Sequence, residues 1–193
     1  MAWLEPLLAD LPGLSLFDAH THIGANDPDG ARLSGEQLLA ILAPLDARGV
    51  VFPMHEPDGY RQANDVVLSE AADSDGRLIP FCRLNPNDGA VAEASRCVEL
   101  GARGIKLHPR SDDFALDGPQ SREIFAFAQE HRLPVLIHAG RGIPALGQHT
   151  LELSEEFPAA KIILAHAAVS DLSWIWRHLG DHPNVYIDTS WWV

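Results

Sequence analysis

The chain has 193 residues, 46% hydrophobic and 21% charged, an ordinary globular composition that suits one domain. Lys and Arg total 14 against 27 Asp and Glu, a formal charge of −13, and a surface that acidic repels phosphate backbones, which speaks against nucleic acid as a partner. No apolar run reaches the roughly 20 residues that span a bilayer, and no basic segment followed by an apolar one opens the chain, so neither a membrane nor a secretory route is expected.

Two cysteines, Cys82 and Cys97, are too few for a disulfide framework and fit a reducing cytoplasm. Along the chain, short β-rich apolar runs alternate with helical patterns. Strands are predicted over Ser15–His20, Val50–Met54, Leu78–Cys82, Gly104–His108, Val135–His138, Ile162–His166 and Val185–Asp188. Runs such as Val135-Leu136-Ile137 and Ile162-Ile163-Leu164 read as strands buried on both faces, as in parallel sheets.

Between the strands, Ser34 and Gln37 form a candidate capping box ahead of Leu38, Leu39, Ile41, Leu42 and Leu45, with Pro44 expected to kink or end that helix. A weaker helical pattern covers Asn64–Asp73. Further helices are predicted over Ala90–Leu100, Ser121–His131, Thr150–Phe157 and Leu172–Leu179, the first and last stopped by Gly101 and Gly180. This regular alternation predicts a single α/β domain over residues 1–193, either a TIM-type (β/α) barrel or a doubly wound sheet.

The histidines favour the barrel. His20, His22, His108, His138 and His166 fall at or just beyond the C-terminal ends of different strands, the face on which such barrels build their sites. The first strand carries no glycine-rich phosphate turn of the kind a doubly wound sheet uses.

His20-Thr21-His22 is the sharpest local signal. Alternate residues of a strand share a face with Cα atoms roughly 6.5–7 Å apart, close enough for two imidazoles to meet one cation at about 2.0–2.1 Å each. Chance also produces this spacing in a chain with ten histidines. His138 and His166 each close an otherwise apolar strand, where an inward polar ring needs a reason. A hydrogen-bonded core histidine is the plainer reading of either one alone, but four at equivalent positions point to a metal site.

These residues resemble the amidohydrolase superfamily, in its amidohydrolase-related branch with aminocarboxymuconate-semialdehyde decarboxylase and 2-pyrone-4,6-dicarboxylate lactonase. The stretches that carry the resemblance are Phe17–Gly24, Gly101–Pro109, Pro134–Gly140, Ile162–Ala167 and Asn184–Ser190, in order and over nearly the whole chain. The resemblance implies that His20, His22 and His138 hold a divalent metal, most simply zinc, and that His166 acts in catalysis or holds a second ion. By the same resemblance Lys106, which some binuclear members carry as a carboxylated bridge, and His108 are candidates for metal or substrate.

The resemblance further implies an eighth strand ending in a metal-binding aspartate, and the chain stops at Val193 just after the seventh. It is therefore expected to be a C-terminally truncated member: an incomplete barrel of about seven parallel strands without the eighth βα unit, with reduced or absent activity. Asp188, on the seventh strand, is a further candidate near the metal. Open edges on the first and seventh strands, with Trp174, Trp176, Trp191 and Trp192, raise association with a second copy, although burial in the core is the plainer reading of those tryptophans.

The function expected is a metal-dependent hydrolase acting on a lactone or amide of a small carboxylic acid. A non-oxidative decarboxylase on the same residues, or an inactive remnant, are the alternatives. Arg83, Arg141 and His55 follow strand ends and are candidates for gripping a substrate carboxylate. His131, His149, His178 and His182 are read as structural or exposed.

Overall fold

The computed structural model describes residues 4–11 and 13–190. Seven parallel strands follow one another in a single sheet in chain order: β1 (Phe17–Ile23), β2 (Arg48–Pro53), β3 (Leu78–Arg83), β4 (Gly104–Leu107), β5 (Pro134–Ile137), β6 (Lys161–Leu164) and β7 (Val185–Ile187). Helices α2 (Gly35–Leu42), α3 (Arg61–Ala72), α4 (Ala90–Glu99), α5 (Pro119–His131), α6 (Leu146–Glu156) and α7 (Leu172–Ile175) lie between consecutive strands, and α1 (Leu4–Asp10) precedes β1. The sheet curls into an incomplete TIM barrel, with β1 and β7 at the two ends of the order.

The central strands are apolar on both faces because they are covered on both, whereas β1 at one end of the order carries Asp18, His20, Thr21 and His22. Outward residues such as Ile105, Leu107, Val135, Ile137, Ile162 and Leu164 pack with the helices in the main core, while Val50, Phe52, Phe81, Leu136 and Ala165 fill the barrel interior. Each such side chain contributes about 1.5–3 kcal/mol by leaving water. Register is tight where β3 meets β4: Phe81 pairs with Gly104, and a Cβ on Gly104 would lie 2.4 Å from the Phe81 ring. That contact seats β4 and so sets the height at which Lys106, two residues on, enters the interior.

The capping box on α2 is present: Gln37 N–H donates to Ser34 Oγ at 3.1 Å, and Ser34 N–H donates to Gln37 Oε1 at 2.9 Å. The helix ends at Leu42 and gives way to a 3₁₀ turn over Ala43–Leu45, as Pro44 requires. Three expectations need correction. Helix α1 was not predicted, its seven residues being too short for a periodic signal. The last helix is a single turn ending at Ile175 rather than running to Leu179. Trp174 and Trp176 are exposed rather than core residues, while Trp191 and Trp192 lie outside the described residues. No helix among the described residues is long and apolar enough to cross a membrane.

Candidate active site

The C-terminal ends of β1, β4, β5, β6 and β7 bring together seven of the residues singled out by sequence: His20, His22, Lys106, His108, His138, His166 and Asp188. On β1, a register irregularity between Asp18 and Thr21 precedes His20 and His22. The His20 and His22 Nε2 atoms stand 3.2 Å apart, and both rings pack edge-on against Phe52. Behind His20, its Nδ1 lies 2.9 Å from Asp188 Oδ2. A carboxylate only accepts, so His20 carries its proton on Nδ1 and leaves Nε2 with a lone pair.

Asp188 is the hub of this side. Its Oδ1 accepts from the backbone N–H of His166 at 3.1 Å, the backbone N–H of Ser190 at 2.9 Å and Ser190 Oγ at 2.5 Å. Burial alone would raise its pKa, but hydrogen bonds from His20 and Ser190 outweigh this and hold the carboxyl well below the usual carboxylate range. Asp188 thus orients His20.

His166 sits in a left-handed turn in which His166, Ala167 and Ala168 have φ of +55°, +53° and +53°. Such backbone costs roughly 1–2 kcal/mol per non-glycine residue, and Asp188 helps to pin it through the His166 and Ala167 N–H groups. His166 Nδ1 lies 3.0 Å from the Ser190 carbonyl, so that nitrogen carries the proton and Nε2 accepts from His138 Nδ1–H at 3.1 Å. This assignment leaves His138 Nε2 with its lone pair. The His138 ring stacks on His108 with centroids 3.7 Å apart, and a Cβ on Gly140 would fall 2.5 Å from His138 Nε2. His108 Nδ1 accepts from the Ser111 N–H at 3.1 Å.

Burial, with Lys106 next in size, lowers His22 to about 2 and His138 to about 3, and burial pushes His108 down as well. All three imidazoles are therefore neutral. His22 is also hydrogen-bonded to the backbone of Pro53, and since its Nε2 faces His20, the proton of that bond is on Nδ1. Two bare nitrogens therefore face each other across 3.2 Å, which is repulsive unless a cation lies between them. Two nitrogens on one tetrahedral zinc at about 2.0–2.1 Å are about 3.3–3.4 Å apart, so this pair fits a divalent ion. The third expected ligand, His138, is turned onto His166, and no three ligating side chains among the described residues stand around a single point.

Lys106 reaches into the interior from β4. It is 0% exposed, its Nζ lies 4.8 Å from the centre of the Phe52 ring, and no hydrogen-bond partner meets it among the described residues. Burial, followed by the charge on Arg83, drives its pKa well below the ordinary lysine value.

Arg83 lies on the β3 side of the interior. It is buried and engaged through Nη2 and Nε: Nη2 donates to Asp112 Oδ1 at 3.1 Å and to Ser111 Oγ at 2.5 Å, Nε donates to Asp112 Oδ2 at 3.4 Å, and the guanidinium lies 4.7 Å over the Tyr60 ring. Tyr60 O–H donates to Asp112 Oδ1 at 2.5 Å. Arg83 Nη2 and Nε are thus committed to Asp112 and Ser111. Tyr60 and Asp112 were missed by sequence reading: Tyr60 follows no strand-end motif, and Asp112, three residues past Pro109, sits in a loop whose path no local pattern encodes. His55 lies at the edge of this network, its Nε2 3.9 Å from Asp112 Oδ1, and Arg141 is exposed. A cavity of about 730 Å³ opens between the segment after β1 and the start of α3; Tyr60 lines it, and none of the histidines does.

The sequence matches the amidohydrolase family profile over residues 17–193. No curated protein matches it. Among solved structures, an uncharacterised TIM-barrel protein of Bordetella bronchiseptica superposes with a TM-score of 0.73 at 17% identity, covering 91% of this chain and 75% of that one. The 2,6-dihydroxybenzoate decarboxylase of Rhizobium gives 0.68 at 18% identity, covering 92% and 79%. An Acinetobacter baumannii protein designated a 2-pyrone-4,6-dicarboxylic acid hydrolase, with citric acid bound, gives 0.61 at 15% identity, covering 92% and 71%. At these identities the superpositions speak for the fold, and it is the match along residues 17–193 that decides membership: the chain belongs to the amidohydrolase family.

Proposed function

We propose that this chain is a metal-dependent hydrolase that opens a lactone or amide of a small carboxylic acid. The observation that carries this reading is the pair of unprotonated nitrogens of His20 and His22, 3.2 Å apart, with His20 locked in that tautomer by Asp188. His20 and His22 would hold the ion, with His138 the third donor by type and position. A divalent cation bound there supplies polarisation of the scissile carbonyl and a more acidic water. The chain's own groups do the rest. Asp188 keeps the His20 ring from turning. Once the His138 ring turns from His166 toward the ion, the Nε2 it leaves takes a proton from the attacking water as the oxygen–carbon bond forms, and returns it to the leaving oxygen or nitrogen as the carbon–heteroatom bond breaks. The neutral state of His22, His108 and His138 keeps uncompensated charge out of the site.

A second reading, carbon–carbon cleavage, is favoured by one observation: Asp188 has both oxygens occupied, so no spare carboxylate base stands at the histidines among the described residues. In that case His166 would protonate the carbon from which carbon dioxide departs.

The test is direct. The chain is stripped with chelator, reloaded with zinc or manganese, and assayed for opening of pyrone and γ-lactone carboxylates and for carbon dioxide release from hydroxybenzoates. Tight binding of the ion, lost in His20→Ala and His22→Ala together with turnover by a factor of about 100 or more, is expected. Equal ion content and turnover in the two variants and the parent would refute the proposal, and carbon dioxide release without lactone opening would select the second reading.

A further inference from the structure

One hydroxyl touches two of the site's imidazoles at once. Ser190 Oγ lies 3.0 Å from His20 Nδ1 and 3.1 Å from His166 Nδ1, and it donates to Asp188 Oδ1 at 2.5 Å. A hydroxyl has one proton and two lone pairs, and an ionised carboxylate only accepts. Asp188 therefore takes the proton, and the oxygen is left to accept from both rings. Each Nδ1–H is then shared between two acceptors. His20 has Ser190 Oγ and Asp188 Oδ2, the latter at 2.9 Å, and His166 has Ser190 Oγ and the Ser190 carbonyl, the latter at 3.0 Å.

We infer that Ser190 is a positioning residue whose hydroxyl fixes the tautomer and the relative placement of His20 and His166. The ion-holding nitrogen of one ring and the proton-accepting nitrogen of the other are thereby set by the same atom. The inference rests on the proposed function for what the two rings do, and adds to it the residue that ties them together. Asp188 is bonded to the ring of His20 and to the backbone N–H of His166; the hydroxyl carries its hold on to the His166 ring. The backbone at 190 does not substitute for it, because that N–H is spent on Asp188 Oδ1 and the carbonyl serves His166. Without the hydroxyl, His20 keeps Asp188 and His166 keeps the carbonyl, but the acceptor they share is lost.

The experiment compares Ser190→Thr with Ser190→Val, two side chains of nearly equal shape that differ in the hydroxyl. Proton–nitrogen correlation spectra of the ring nitrogens are recorded on the chelator-stripped chain. The parent and Ser190→Thr are expected to show His20 and His166 protonated at Nδ1, and Ser190→Val to show mixed Nδ1–H and Nε2–H forms in both rings. With zinc restored, Ser190→Val should lose on the order of tenfold in ion affinity and, at saturating ion, a similar factor in kcat for γ-lactone carboxylates with KM nearly unchanged, the scale of one hydrogen bond. Ser190→Thr should restore both. The parent against Ser190→Ala gives the same contrast if either variant does not fold. Identical ring spectra with and without the hydroxyl overturn the inference. Equal losses in Ser190→Thr and Ser190→Val overturn it too, since shape and not the hydroxyl would then be at work. Tautomers set by the hydroxyl in a chain that binds no ion keep this inference and sink the proposed function. Lactone opening with spectra indifferent to the substitutions does the reverse.

Discussion

The two sides of the barrel mouth treat charge in opposite ways. On the β3–β4 side, Arg83, Asp112, Tyr60 and Ser111 bond to one another. On the β1–β7 side, each hydrogen bond made by Asp188, Ser190 and His166 on the back of an imidazole has the effect of freeing a nitrogen on its front. Lys106 stands between them, belonging to neither network. What a buried polar residue can do for a ligand is thus set by the partners it already has, not by its type.

That contrast can be broken most forcefully from the closed side. Asp112→Ala strands a buried guanidinium and is expected to cost about 3–5 kcal/mol in urea unfolding, whereas Lys106→Met, which removes an already unpaired group, should leave stability unchanged or raise it. Equal losses in the two variants would mean that Lys106 has a structural partner after all.

A smaller effect probes the open side. Asp188→Asn keeps the shape but weakens the hold on the His20 proton. Ion affinity measured by competition with a chromophoric chelator should fall tenfold to hundredfold, about 1.4–2.7 kcal/mol. An unchanged affinity would show that His20 needs no orienting carboxylate.

The smallest effect lies away from both sides, at Glu93. Burial opposes its ionisation, but hydrogen bonds from Arg96, Asn64 and Cys97 overcome this and hold its pKa at about 2. A depressed folded-state pKa contributes stability that is complete above the unfolded value and fades as pH falls from about 4.5 toward about 2. In Glu93→Gln, thermal unfolding followed over that window should lose about 1 kcal/mol less than the parent.

Much of this was legible in the sequence. All seven strands were located to within a few residues because strands covered on both faces read as near-continuous apolar runs, and their ends delivered the histidines. His20 and His22 could be paired from spacing alone, since a strand repeats every second residue. The engagement of Arg83 could not, because its partner Asp112 lies 29 residues away in a loop whose path no local pattern encodes. Nor could the left-handed turn at His166, where alanines adopt a backbone that sequence rules reserve for glycine. The contact of Asp188 with the His20 ring was equally hidden: sequence placed this carboxylate near the histidines but could not show which ring it touches.

Gly140 carries a consequence of its own. The space its missing side chain would fill is occupied by the far edge of the His138 imidazole. A single methyl group there competes with that ring for the same volume, so crowding from the backbone, with every donor residue left in place, is a route by which evolution or an engineer can switch one member of the cluster out of play.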